Sequence, residues 1–329
     1  MKKLIFVLSG VLAAQLVLAM ILDLTGEDYG TFQAEERLLS FNKQAVSGVQ
    51  ISDGTDSVDL KKQEGKWLLP NSGKFPASQR KVEQLLDNLA ALEKGWPVAK
   101  TRSAAQRFAV DKEQFERKLI LLSDDDTRAT LYVGSSLGFR KVYVRPGDAD
   151  EVFTVDFNTW QANAKTEDWI DTNILALDQS SVQRLEMPGI IIQRQDGRLQ
   201  VMNLEENEQT NVEESSALLG KLTGLRIQSL LGTDAEPEYR QDEPVLEVRI
   251  TTEGGGVLDY RFSKPQDATY YVLKRSDLGF FFEVAEHTVN PVREATRERL
   301  VQARTEEAPK DGDASRDGNK ESDTGGDSA

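Results

Sequence analysis

The chain of 329 residues contains no cysteine and one histidine, His287. The absence of cysteine excludes disulfides, thiolate nucleophiles, cysteine-ligated zinc and an anchor lipidated on cysteine. The chain has fewer basic than acidic residues: 40 Lys and Arg against 55 Asp and Glu give a net charge of −15 at pH 7. A surface with this excess of negative charge repels phosphate backbones, so nucleic acid is not expected as a partner.

Sequence motifs of catalysis are also missing. The chain has no glycine-rich phosphate loop, no zinc-protease helix motif and no nucleophile elbow. His287 follows Phe280–Phe282 and Val284, a pattern that predicts a strand, so Glu283 four residues earlier is poorly placed to share a metal with it. We therefore expect a structural or surface histidine.

Two acidic segments have the oxygen ligands that calcium prefers. Asp124–Asp126 stands between two hydrophobic runs, which favours a solvated hairpin tip. Residues 313–318 match the first half of a calcium-binding loop, but its twelfth position is Thr324 rather than glutamate. The sequence thus predicts no catalytic, cofactor-binding or metal-binding residue, and no cofactor.

The longest apolar run is at the N-terminus, where residues 4–22 contain only Ser9 and Gln15 as polar members. About 20 apolar residues span a bilayer as a helix, whereas a signal-peptide core has about 7 to 15. Lys2 and Lys3 precede the run and acidic residues follow it, which places the body outside the cytoplasm. We expect residues 1–22 to anchor the protein in the inner membrane with its body in the periplasm; a cleaved signal ending at Ala19 is the alternative.

The body of the chain carries a repeat. Four leucines of one segment recur 133 residues later, as Leu85, Leu86, Leu89 and Leu92 against Leu218, Leu219, Leu222 and Leu225. Residues 65–69 have counterparts in 197–201, and two later segments recur at a shift of 129, as 142–145 against 271–274 and 152–155 against 281–284. A nearly constant shift across different elements predicts a duplicated structural unit.

Period-2 patterns and Asp-Gly or Glu-Gly turns predict a three-stranded meander in the first unit, followed by a leucine helix over 76–93 and further strands. The fold class is therefore α+β, with two related meander-helix-sheet units behind a single transmembrane helix. We divide the chain into an anchor at residues 1–22, a connector at 23–45, a first unit at 46–178, a second unit at 179–304 and a disordered acidic tail at 305–329. The second unit closes with a basic helix over 291–304. The tail has no aromatic or branched aliphatic residue with which to form a core.

Several short segments resemble a known family. They are Gly65–Leu69, Phe75–Ser78, Phe108–Asp111, Tyr132–Gly134, Tyr143–Arg145 and Asp168–Asp171. Together they resemble the membrane-anchored family called domain of unknown function 4340, best over residues 49–178 and more loosely over the second unit. The resemblance implies an extracytoplasmic α+β domain that accompanies ABC-type exporters or gliding-motility-like systems. The family has no assigned activity, so no residue acquires a catalytic role from it.

From these observations we expect a non-enzymatic accessory or scaffold protein of a cell-envelope complex. One alternative is a periplasmic glycan hydrolase, which needs two carboxylates in one cleft. The other is a module that binds a small ligand or glycan in a pocket lined by Trp or Tyr. Trp67, Trp96, Trp160 and Trp169 are available for stacking on sugars, but we expect each of them in the core or between the units.

The anchor leads to a first prediction. If residues 4–22 are retained as a membrane span, the protein stays with membranes after alkaline carbonate washing, and its mature N-terminus includes Lys2. Recovery of a soluble periplasmic form that starts near Met20 would contradict the anchor and support the cleaved signal.

Overall fold

The computed structural model describes residues 36–124 and 126–304, together with Gln15. The predicted span over 4–22, apart from Gln15, and the acidic tail over 305–329 therefore lie outside the described residues. Within the described part of the chain, no helix is both long and apolar enough to cross a membrane.

The first sheet has eight antiparallel strands in the order β4-β3-β2-β1-β5-β6-β7-β8. They are β1 Gly48–Ser52, β2 Ser57–Gln63, β3 Lys66–Leu69, β4 Phe75–Pro76, β5 Arg117–Ser123, β6 Asp126–Gly138, β7 Lys141–Pro146 and β8 Phe153–Asp156. Two helices separate β4 from β5, namely α1 Gln79–Ala91 and α2 Arg102–Arg107.

The second sheet also has eight antiparallel strands, in the order β11-β10-β9-β14-β15-β16-β17-β13. They are β9 Val182–Met187, β10 Ile190–Gln195, β11 Arg198–Val201, β13 Ser229–Gly232, β14 Leu246–Thr252, β15 Val257–Ser263, β16 Tyr270–Arg275 and β17 Phe281–Ala285. The remaining elements are β12 Glu208–Thr210, α3 Val212–Thr223, α4 Glu286–Arg293, α5 Arg297–Leu300 and β18 Val301–Ala303, and β18 pairs with β12. The architecture is mixed α+β with mostly antiparallel sheets.

Most of the strand pairing has the same register in both sheets. The central partner pairs from β5 to β8 recur 129 residues later from β14 to β17, as in Leu119–Leu131 and Val248–Tyr260, Tyr132–Arg145 and Arg261–Lys274, and Val142–Val155 and Tyr271–Val284. The pairs at the irregular ends of β6, such as Ser136–Val142, do not recur. The hairpin pair Lys62–Trp67 recurs as Arg194–Leu199, at a shift of 132. The sequence repeat therefore corresponds to a repeat of backbone pairing.

The turns of these two hairpins are also alike. Glu64 and Gly65 have φ of 50° and 81°, and Asp196 and Gly197 have φ of 48° and 77°. Two successive positive φ values match the right-handed twist of the flanking strands, and glycine adopts them without steric cost. A glycine at the same point of each unit is thus explained by the turn it makes.

The inner faces of both sheets and the two leucine helices form one continuous core. All eight leucines of the repeat are buried in it. Each buried leucine side chain contributes about 1.5–3 kcal/mol through removal of apolar surface from water. The units meet at Phe75, whose ring lies edge-on to that of Phe280 with centroids 5.0 Å apart.

Two predicted helices differ from those observed. The helix expected over 76–93 is shorter, because Phe75 and Pro76 pair with β3 as a strand before α1 begins at Gln79. The closing basic helix expected over 291–304 is observed only in part, because this region holds the end of α4, the four-residue helix α5 and the strand β18. Pro291 lies inside α4, whose Val289 and Val292 are buried, and the chain from Val301 pairs with β12 instead.

Gly134 of β6 provides a test of the fold. A Cβ at this position would lie 2.0 Å from the carbonyl oxygen of Phe108 and 2.6 Å from that of Ala109. Because backbone atoms cannot move aside cheaply, we expect Gly134→Ala to lower the free energy of unfolding by about 2 kcal/mol or more. Gly95→Ala is the control, since no atom lies within 4 Å of its added Cβ. Equal denaturant midpoints for the two variants would contradict this packing.

Candidate functional site

A large cavity lies at the second sheet and has a volume of about 940 Å³. Its walls include charged side chains from β9, β14, β15 and β16 and apolar side chains such as Ile191 and Met202. The charges face outward because strand residues alternate between faces. Val248 and Ile250 are buried in the core, whereas Glu247 and Arg249 between and beside them are exposed.

Opposite charges form cross-strand pairs along this outer face. Arg249 stands between Glu186 and Asp259 in the strand register, and its Nε donates to Oδ1 of Asp259 at 2.7 Å. This hydrogen bond to Asp259 raises the pKa of Arg249. Arg261 likewise donates to Glu247 at 3.1 Å. Each of these two carboxylates is thus held by an arginine of the neighbouring strand.

Lys274 is the exception among the cations of the cavity. It is half-buried, and its ammonium lies 4.5 Å from the centroid of the Phe281 ring. Among the residues that the structure describes, no carboxylate and no hydrogen-bond acceptor is found for it. Desolvation by the surrounding protein lowers the pKa of Lys274. A partly desolvated cation without an acceptor is the feature of this cavity that points to a ligand.

The corresponding position of the first sheet is Arg145, 129 residues earlier in the same register. Its guanidinium is buried, lies over the Tyr132 ring at 4.6 Å and donates from Nε to the carbonyl oxygen of Val110 at 2.8 Å. Two further carbonyl oxygens, of Pro146 and Ala149, accept from the same side chain at 3.3 and 3.0 Å. Both units therefore carry a cation at this position, and the chain itself supplies acceptors in the first unit.

The residues singled out in the sequence lie elsewhere. The strand expected before His287 is observed as β17, but it ends at Ala285, and His287 itself is exposed on α4. It borders a separate depression with Arg226 and Glu286. Asp124 lies in the turn between β5 and β6 with φ of 51°, and Asp125 and residues 313–318 are outside the described part of the chain. Within that part, no group of three His, Cys, Asp or Glu residues is placed to hold a metal ion.

The four tryptophans divide into two groups. Trp67 and Trp169 are buried as expected, and the indole of Trp169 donates to the carbonyl oxygen of Asn163 at 2.8 Å. Trp96 and Trp160 are 69% and 81% exposed, so the expectation that they lie in the core or between the units is wrong. None of the four lines the large cavity, whose aromatic residues are Tyr260 and Phe281. The sequence contained no signal that the outer face of the second sheet stays open.

Arg297 at the edge of the cavity is fixed by Glu208. Its Nη2 donates to Oε2 of Glu208 at 2.6 Å and to the carbonyl oxygen of Asn203 at 2.8 Å, and its Nη1 donates to Oε1 of Glu208 at 2.9 Å. The hydrogen bonds that Glu208 accepts from Arg297, together with one from the backbone N–H of Glu205, lower the pKa of Glu208 from 4.5 to about 2. Because the folded-state pKa is depressed, the pair stabilises the fold above the usual pKa, and this stabilisation is lost as the pH falls towards 2.

We therefore expect Glu208→Gln to lower the melting temperature at pH 7 and to have a smaller effect near pH 2. Glu206→Gln, an exposed neighbour outside the ion pair, is the control and should have little effect at either pH. Melting curves of the three proteins across this range are the measurement. An effect of Glu208→Gln that is the same at both pH values would show that the ion pair contributes nothing to stability.

Comparison with known proteins places the chain in a family. Neither the curated proteins nor the solved structures gave a match. A family model matches residues 67–244, which is more than half of the chain. The match begins at residue 67, whereas the resemblance noted in the sequence is best over residues 49–178. The match also extends into the second unit, up to the residues before β14. The chain belongs to the family described as domain of unknown function (DUF4340).

Proposed function

We propose that this protein is a non-enzymatic accessory or scaffold protein of a cell-envelope complex. Residues 4–22 hold it in the inner membrane, its body faces the periplasm, and an ABC-type exporter or a gliding-motility-like system is its partner. The partner docks on the outer face of the second sheet. One observation carries this proposal. The two sheets share most of their strand pairing, but the second has a large open cavity on its outer face.

Duplication supports a docking role. We propose that residues 46–178 and 179–304 are copies of one ancestral unit. Both copies keep the inner-face residues that the shared core requires, whereas the outer faces have diverged. The first carries Ile120 and Tyr132 where the second carries Arg249 and Arg261. A copy whose outer face is not needed for folding is free to acquire a partner.

The contents of the cavity favour binding over glycan hydrolysis. Hydrolysis needs one carboxyl group that donates a proton and a second that acts as base or nucleophile. Glu247 and Asp259 are each bound to an arginine, and Glu186 accepts from Arg184 at 2.8 Å. The exposed Trp96 and Trp160, which suit sugar stacking, lie outside the cavity.

The test is site-specific photo-crosslinking in native cells with the full chain. A photoreactive amino acid at Ile191, inside the cavity, is expected to crosslink to a transporter or another envelope protein, and the same amino acid at Val212, which is exposed on α3, is not. Equal crosslinking at both positions, or none at Ile191, would overturn the docking role. Hydrolysis of envelope glycans that is lost in Glu247→Gln would instead establish the enzymatic alternative.

A further inference from the structure

Equivalent positions in the two units carry a cation, but the chain provides hydrogen-bond acceptors only for the cation of the first unit, among the described residues. Arg145 in the first unit and Lys274 in the second occupy the same place in the strand register and on the same outer face. Arg145 has three carbonyl acceptors, and Lys274 has none among the described residues. One of the three acceptors, the Val110 carbonyl, comes from the segment that joins the helix to the next strand, and this segment takes a different path in the second unit.

In the first unit this segment covers the outer face of the sheet. The Phe108 ring stacks on Tyr143 with centroids 4.0 Å apart, and the Phe115 ring lies 5.9 Å from that of Tyr132. Val110 between them is fully buried, and its carbonyl oxygen is the one that accepts from Arg145. Residues 108–116 thus act as a peptide bound to the sheet, with apolar side chains packed on it and an acceptor directed to the cation.

In the second unit the equivalent segment takes another path. It forms β13, which pairs with β17 at the sheet edge, and its Tyr239 ring packs on Phe281 at 5.4 Å. The Tyr239 carbonyl oxygen accepts from Ser263, whose position corresponds to Gly134 of the first unit. The segment therefore covers the end of the face near Ser263, and the region around Lys274 stays open as the cavity.

We propose that this cavity binds a polypeptide segment of the partner protein that carries a carboxylate for Lys274 and apolar side chains on either side of it. This inference rests on the proposed docking function and specifies its partner chemistry. The segment takes the place on the second sheet that residues 108–116 hold on the first. An anionic acceptor fits because a compact, partly desolvated ammonium is best compensated by a negative charge. Ile191 and Met202 provide the apolar contacts.

The experiment measures peptide binding to the full-length protein in detergent by fluorescence anisotropy. The probes are two pools of labelled 12-residue peptides with random apolar flanks, one with a central glutamate and the other with glutamine. We expect the glutamate pool to bind at least tenfold more tightly, although the net charge of −15 opposes acidic peptides. Lys274→Met should abolish this preference and Lys274→Arg should retain most of it. Lys221→Met, an exposed lysine on α3, should leave it unchanged.

Several outcomes would overturn the inference. They are equal binding of the two pools, a preference that survives in Lys274→Met, and competition by sodium acetate at the concentration of the peptide, which would mark a small-carboxylate site. A denaturation curve for Lys274→Met with an unchanged midpoint establishes that a lost preference is not a loss of folding. The docking function and the acidic segment are tested separately. If crosslinking at Ile191 persists in Lys274→Met, the docking function is retained and the acidic segment is rejected.

Discussion

Burial of the inner faces of two antiparallel sheets in one continuous core is the constraint on which the remaining structure depends. Strand residues alternate between faces, so a register that buries one set of side chains necessarily exposes the other. Both sheets satisfy this constraint with the same register, and the leucine helices α1 and α3 add their apolar faces to the same core. Contacts such as Phe75 with Phe280 join the two units into one packed body.

The outer faces are not bound by this constraint, and there the units differ. On the first sheet Tyr132, Val152 and residues around α2 form a second, smaller apolar cluster that buries the face. On the second sheet the matching positions carry Arg261 and Phe281, and the ion pairs Arg249–Asp259 and Arg261–Glu247 remain partly solvated. Surface ion pairs of this kind contribute little to stability, roughly 0–1 kcal/mol each, so their value is better sought in recognition.

Electrostatics inside the cavity distinguish Lys274 from the other cations. Arg249, Arg261 and Arg297 of the wall each have an acidic partner in the chain, and removing either member leaves a charge without compensation. Among the residues that the structure describes, Lys274 has only the face of Phe281 as a partner, and a cation–π contact replaces lost hydration in part. The lowered pKa of Lys274 has this desolvation as its cause, and an external carboxylate would reverse it.

Sequence alone determined the α+β class, the family resemblance and the repeat, because periodicity, glycine turns and leucine spacing are local properties of the chain. It correctly placed the eight leucines, Trp67 and Trp169 in the core. It misjudged Trp96, Trp160 and the helix over 291–304, since exposure and the pairing of β18 with β12 depend on partners distant in sequence. The candidate site was decided only by tertiary structure. In the sequence Lys274 is an ordinary strand residue. In the structure, residues 225–245 leave its face of the sheet uncovered, whereas residues 108–116 cover Arg145 in the first unit.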